Sequence, residues 1–202
     1  MSLNNIHPDT QRSLEDLLTE IRNCTHCAEY LPYDPNPVLR ASSKARLLVV
    51  GQAPGTRVHE TGIPWNDPSG DRLRDWLQFS PEQFYNEENV AIIPMGYCYP
   101  GKGKNGDLPP RKECAGLWLD RLLEHLPDLE LTLLIGQYAQ QHYLGKRRKK
   151  TLTETVKNWR EYLPEYFPLI HPSPRNTFWL QQNPWFEADL IPELRNLTNK
   201  YK

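Results

Sequence analysis

Four short apolar runs constrain the fold of this chain more than any other feature. They are Leu47-Leu48-Val49-Val50, Val90-Ala91-Ile92-Ile93, Leu131 to Ile135, and Tyr166 to Ile170. Runs of this length, bounded by glycine, proline or histidine, read as buried strands. Between them lie segments with helical spacing, such as Leu14, Leu17, Leu18 and Ile21, or Phe186, Leu190, Ile191 and Leu194. Strand alternating with helix predicts a parallel sheet covered on both faces. At 202 residues the chain reads as one domain, 1–202, long enough to bury a sizeable core. Asp9-Thr10 is a candidate cap for the first helix, and Ser69 for a helix carrying Leu73, Trp76 and Leu77.

Bulk charge points to no polyanionic partner, because the formal net charge is -1. Contact with nucleic acid would have to come from local patches. The run Lys146-Arg147-Arg148-Lys149-Lys150 is one candidate, and Lys102, Lys104 and Arg111 are others. No apolar stretch approaches the roughly 18 residues of a membrane helix. The polar segment Met1 to Thr10 lacks the apolar core of a signal peptide. A cytoplasmic protein with no membrane partner is expected.

Cysteine occurs four times: Cys24 and Cys27 as a CxxC pair, then Cys98 and Cys114. A disulfide is not expected in an intracellular protein. The thiols could be buried apolar groups, or a four-thiolate site for zinc or an iron–sulfur cluster.

Two turns follow strands. The first is Gly51-Gln52-Ala53-Pro54-Gly55, and the second is His171-Pro172-Ser173-Pro174-Arg175. Open parallel sheets bind ligands beyond the carboxyl ends of their strands. There is neither a GxGxxG nor a P-loop pattern to suggest a nucleotide cofactor.

Taken together, these residues resemble the uracil-DNA glycosylase superfamily, and within it the iron–sulfur branch of bacteria and archaea, family 4. That branch carries a GEAPG turn, met here by Gly51–Gly55. Its TGRPF segment is met by Thr61-Gly62-Ile63-Pro64-Trp65, and its HPS turn by His171-Pro172-Ser173. Its cysteines show the same CxxC followed by a wide and then a narrower gap. The likeness runs over about residues 20–195.

The resemblance implies a three-layer α/β/α sandwich around a four-stranded parallel sheet. It implies a [4Fe–4S] cluster on Cys24, Cys27, Cys98 and Cys114, with zinc as the alternative. It also implies a pocket for a base extruded from DNA, since a stacked base is out of reach of chemistry. In that reading Trp65 stacks on the base, while Ala53 and Asn66 contact it. His171 stabilises the departing base anion. Ser173, Arg175, Lys146, Arg147 and Arg148 grip phosphates or fill the vacated stack. The partner is DNA bearing uracil or another deaminated base, bound by a monomer.

Two positions depart from the branch. Gln52 replaces the glutamate of the first turn, and a neutral amide can orient water but not take its proton. Pro94 stands where the family places an asparagine that reads the base edge. The expected function is base excision by hydrolysis of an N-glycosidic bond, with Gln52 and His171 as the catalytic pair. The alternative is a non-catalytic DNA-binding member that keeps the cluster.

Overall fold

β1 (Leu47–Val50) is flanked by a parallel strand on each side, and the chain is arranged around that position. The computed structural model describes residues 13–104 and 106–202. The sheet order is β2 (Val90–Ile92), β1, β5 (Leu131–Ile135) and β6 (Tyr166–Leu169), with all pairs parallel. A small antiparallel hairpin, β3 (Lys102–Gly103) with β4 (Gly106–Asp107), interrupts the connection from β2 to β5.

Each central strand is buried along its whole length, so it reads as a continuous apolar run rather than an alternating one. Leu47 and Val49 face one side, where Leu73 and Trp76 of α3 (Pro68–Leu77) and Leu194 of α10 (Ile191–Thr198) pack. Leu48 and Val50 face the other, against Leu17 and Ile21 of α1 (Leu14–Arg22) and Leu122 of α6 (Asp120–Glu124). The three expected layers are therefore present. Burying one such leucine or valine contributes about 1.5–3 kcal/mol, which is why strands of three to five residues suffice here.

The helix starts refine the sequence reading. Asp9-Thr10 lies outside the described residues, and α1 is capped instead by Ser13 in a reciprocal box with Asp16. α3 is capped by Asp67 rather than Ser69: its carboxylate accepts from the Gly70 N–H at 2.8 Å. Ser69 is buried inside the first turn. The chain after Gly55 forms α2 (Thr56–Thr61). Further helices are α4 (Pro81–Phe84), α5 (Lys112–Cys114), α7 (Gly136–Leu144), α8 (Leu152–Lys157) and α9 (Thr177–Gln182).

Candidate active site

From β1 the chain moves outward to β2, then crosses back over β1 to reach β5. Such a reversal opens a crevice at the carboxyl ends of the strands. The crevice is lined by Gly51 to Gly55 after β1, by Pro94 after β2 and by His171 after β6, with Trp65 and Asp67 at its side. The two turns, far apart in sequence, thus face one pocket. Hydrogen bonds from the Met95 N–H to the Gly51 carbonyl at 3.0 Å and from the Gly96 N–H to the Gln52 carbonyl at 2.9 Å tie the first turn to the β2 loop.

Trp65 is held in an unusual backbone state. Its φ is 57°, a left-handed conformation that costs a bulky residue about 1–3 kcal/mol. The surroundings enforce it: Arg74 donates to the Trp65 carbonyl at 3.2 Å, and the Tyr85 hydroxyl donates to the Pro64 carbonyl at 2.9 Å. Glycine is required on two sides. A Cβ on Gly70 would fall 1.7 Å from the Trp65 carbonyl oxygen, and one on Gly51 would fall 2.9 Å from the indole ring. The half-buried indole lies 5.6 Å from the His171 ring, tilted by 31°.

The His171 tautomer follows from a single contact. The Ser173 backbone N–H donates to Nδ1 at 3.2 Å, so Nδ1 is the acceptor and the proton sits on Nε2. Burial in the pocket lowers the pKa of the imidazole below its usual value, opposed by the carboxylate of Asp67. His171 is therefore a neutral ring with one N–H to offer. Its turn is braced by Asn176, which donates to the His171 carbonyl at 2.7 Å, and by Arg72, which donates to the Ser173 carbonyl at 3.0 Å.

Gln52 lines the pocket, and its side-chain amide donates to the Leu108 carbonyl at 3.0 Å. This bond clips the β3–β4 hairpin to the first turn. On its other flank the hairpin meets the second turn, where the Arg175 guanidinium lies so close to Gly106 that a Cβ there would approach it to 2.6 Å. The hairpin thus bridges the two turns.

The remaining expected residues divide. Ala53 lines the pocket. Asn66 is not among the lining residues, and its amide turns back to the Thr61 hydroxyl at 3.4 Å. The Ser173 hydroxyl oxygen accepts from the Arg175 N–H at 3.3 Å, capping the short 174–176 turn. Lys146, Arg147 and Arg148 are placed away from the pocket. They follow α7, which leaves the carboxyl end of β5 and runs back to the opposite end of the strands. There Arg147 stands over Tyr166, the first residue of β6, and beside Glu165. Arg111 is also committed elsewhere, pairing with Glu113 and covering the Tyr30 ring. Two carboxylates escaped sequence reasoning: Asp67, which lines the pocket, and Asp107, which lies against Gly55 of the first turn. The Pro68 that follows Asp67 was a usable signal for a helix cap. Asp107 sits in a hairpin that no periodicity marks.

Cys24, Cys27, Cys98 and Cys114 line one small cavity together with Tyr97, Arg111 and Trp118. Burial pushes the Cys98 thiol up to about 12 and the Cys114 thiol up to about 11, and the nearby Cys24 and Cys27 add to both. Burial also raises Cys27, against a hydrogen bond from Arg111. Among the described residues no group of three or more ligating side chains is set to hold a metal ion as it stands. The donor set nevertheless fits a thiolate-bound centre: four sulfurs on one apolar cavity, whose protons a bound metal would displace.

A parallel α/β sheet with a pocket at the carboxyl ends of its strands, where a histidine stands beside an indole, defines the class of this protein. The model of the uracil DNA glycosylase superfamily matches residues 40–195, and the chain belongs to that superfamily. It is similar to the type-4 uracil-DNA glycosylase of Thermotoga maritima, with 24% identity over 167 residues, covering 81% of this chain and 84% of that protein. The crystal structure of wild-type Pedobacter heparinus SMUG2 is a looser likeness: 15% identity, TM-score 0.44, 85% of this chain and 81% of that one.

Proposed function

We propose that the protein excises uracil or a related deaminated base from DNA by hydrolysing its N-glycosidic bond. The observation that carries this reading is the bond from the Ser173 N–H to His171 Nδ1, which leaves Nε2–H as a donor in the pocket. A pyrimidine leaving as an anion gathers charge on its ring carbonyls, and a fixed donor there lowers the barrier. Trp65, held by Gly51 and Gly70, supplies an aromatic wall for the extruded base. Ala53 lies beside it on the first turn. Pro94 offers no side-chain donor, so reading of the base edge falls to backbone groups of the turns. Ser173 and Arg175 of the second turn, with Lys102 of the hairpin, form the phosphate-facing rim.

Cys24, Cys27, Cys98 and Cys114 would hold a [4Fe–4S] cluster that ties α1 to the segment before α6. Zinc is the alternative occupant of the same thiols. Such a centre would supply structural cross-linking; the pocket chemistry is assigned to the chain's own residues.

A second reading, a DNA-binding member without turnover, is favoured by Gln52, whose amide is spent on the Leu108 carbonyl. Incubation with single-stranded and duplex DNA containing uracil, hypoxanthine or xanthine separates the two. Release of free base supports excision. Salt-dependent binding with no release from any of these substrates supports the second reading.

A further inference from the structure

A hydrolytic site must hold and deprotonate a water, and neither Gln52 nor His171 is placed to take its proton. Gln52 has no proton to exchange near neutrality. His171 uses Nδ1 as an acceptor for Ser173 and carries its proton on Nε2. Asp67 has one carboxylate oxygen engaged at 2.8 Å by the Gly70 N–H, as the cap of α3.

One further carboxylate reaches the first turn. Asp107, at the end of β4, sets an oxygen 3.6 Å from where a Cβ on Gly55 would lie. Its neighbour Leu108 is the residue that Gln52 clips. The amide at position 52 thus fastens the segment that carries a carboxylate to the turn. A glutamate there would repel the same carbonyl.

We propose that Asp107 holds the attacking water and takes its proton, in the place left by Gln52. The inference rests on the hydrolytic reading above. In the step, one water O–H bond passes its proton to the Asp107 carboxylate. The water oxygen bonds to the sugar C1′, the bond from C1′ to the base nitrogen breaks, and that electron pair leaves on the base beside His171 Nε2–H.

The surroundings make Asp107 more basic than a free aspartate. Asp107 is exposed at the hairpin surface, but its carboxylate turns against the first turn, and that shielding raises its pKa. Arg175 from the second turn, Lys102 across the hairpin and a hydrogen bond with Tyr99 pull the pKa down, while Asp67 pushes it up. The conformational role of β3–β4 is then to carry chemistry to a turn that lacks it.

The test is single-turnover release of uracil across pH 4–9 by wild-type protein, Asp107→Asn, Asp107→Glu and Asp67→Asn, alongside binding to DNA carrying a non-hydrolysable 2′-fluoro-deoxyuridine. Asp107→Asn is expected to release uracil about 10²–10⁴-fold more slowly, the usual range for loss of a general base, and to lose the acidic limb of the rate profile. Its affinity for the fluorinated DNA stays within threefold of wild type, and Asp107→Glu keeps the limb. Asp107→Asn releasing uracil within threefold of wild type would overturn the proposal, as would an acidic limb that disappears only in Asp67→Asn. If wild-type protein releases no base at all, the hydrolytic reading itself fails, a result distinct from a wild-type rate that Asp107→Asn shares.

Discussion

The Ser173 backbone N–H points at His171 Nδ1 from 3.2 Å, and that one contact decides which ring nitrogen carries the proton. Protonating His171 would break the acceptor role and place a charge in the pocket. Consistent with this, its pKa lies below the usual histidine value of about 6.5. A depressed histidine contributes stability that is full above the unfolded-state value and is lost as pH falls through the folded-state value. The His171 resonance in a pH-dependent NMR titration is expected to change below pH 6.5. A midpoint at or above that value would contradict the neutral ring.

Restoring the family glutamate should not help. Gln52→Glu removes the donor that holds the Leu108 carbonyl at 3.0 Å. Loss of such a bond costs about 0.5–1.5 kcal/mol, and the new carboxylate repels the carbonyl. The denaturation midpoint is expected to fall while base release does not rise. A tenfold faster release with unchanged stability would refute this account of Gln52.

Cys98→Ala removes one of the four thiols around the shared cavity. Anaerobically purified wild-type protein is expected to be brown and to carry iron. The variant is expected to lose most of the visible absorbance, and its thermal midpoint drops. A colourless wild type with one zinc per chain would assign the thiols to zinc instead.

Placement of the basic residues predicts an asymmetry in salt dependence. Lys146, Arg147 and Arg148 sit past the far end of α7, whereas Lys102 is on the hairpin clipped to the first turn, next to Lys104. Each phosphate contact contributes about 0.9 to the slope of log affinity against log salt on duplex DNA. Replacing Lys146, Arg147 and Arg148 by alanine should leave that slope unchanged. Replacing Lys102 and Lys104 should reduce it by about one to two. Filter binding at several salt concentrations reads both.

Much of the fold was legible because the sheet is buried on both faces, so its strands stand out as uninterrupted apolar runs. The pocket was legible through its two turns, since Gly51 and His171 directly follow strands. What the sequence hid depends on geometry with no period. Two-residue strands such as Lys102–Gly103 cannot alternate, so the hairpin that brings Asp107 to Gly55 left no pattern. The left-handed Trp65 is imposed by Gly70 and Arg74, not by its own preference. The sequence could not show that α7 carries the basic run to the end of the sheet away from the pocket. Nor could it show that Arg111 closes over the cysteine cavity.

Release of free uracil by wild-type protein and by His171→Ala, under single-turnover conditions at neutral pH, bears most directly on the proposed chemistry. The account predicts measurable release by the wild type and a loss of about 10²–10³-fold in the variant, as expected when one fixed donor to a developing anion is removed. Equal release by the two proteins would contradict it.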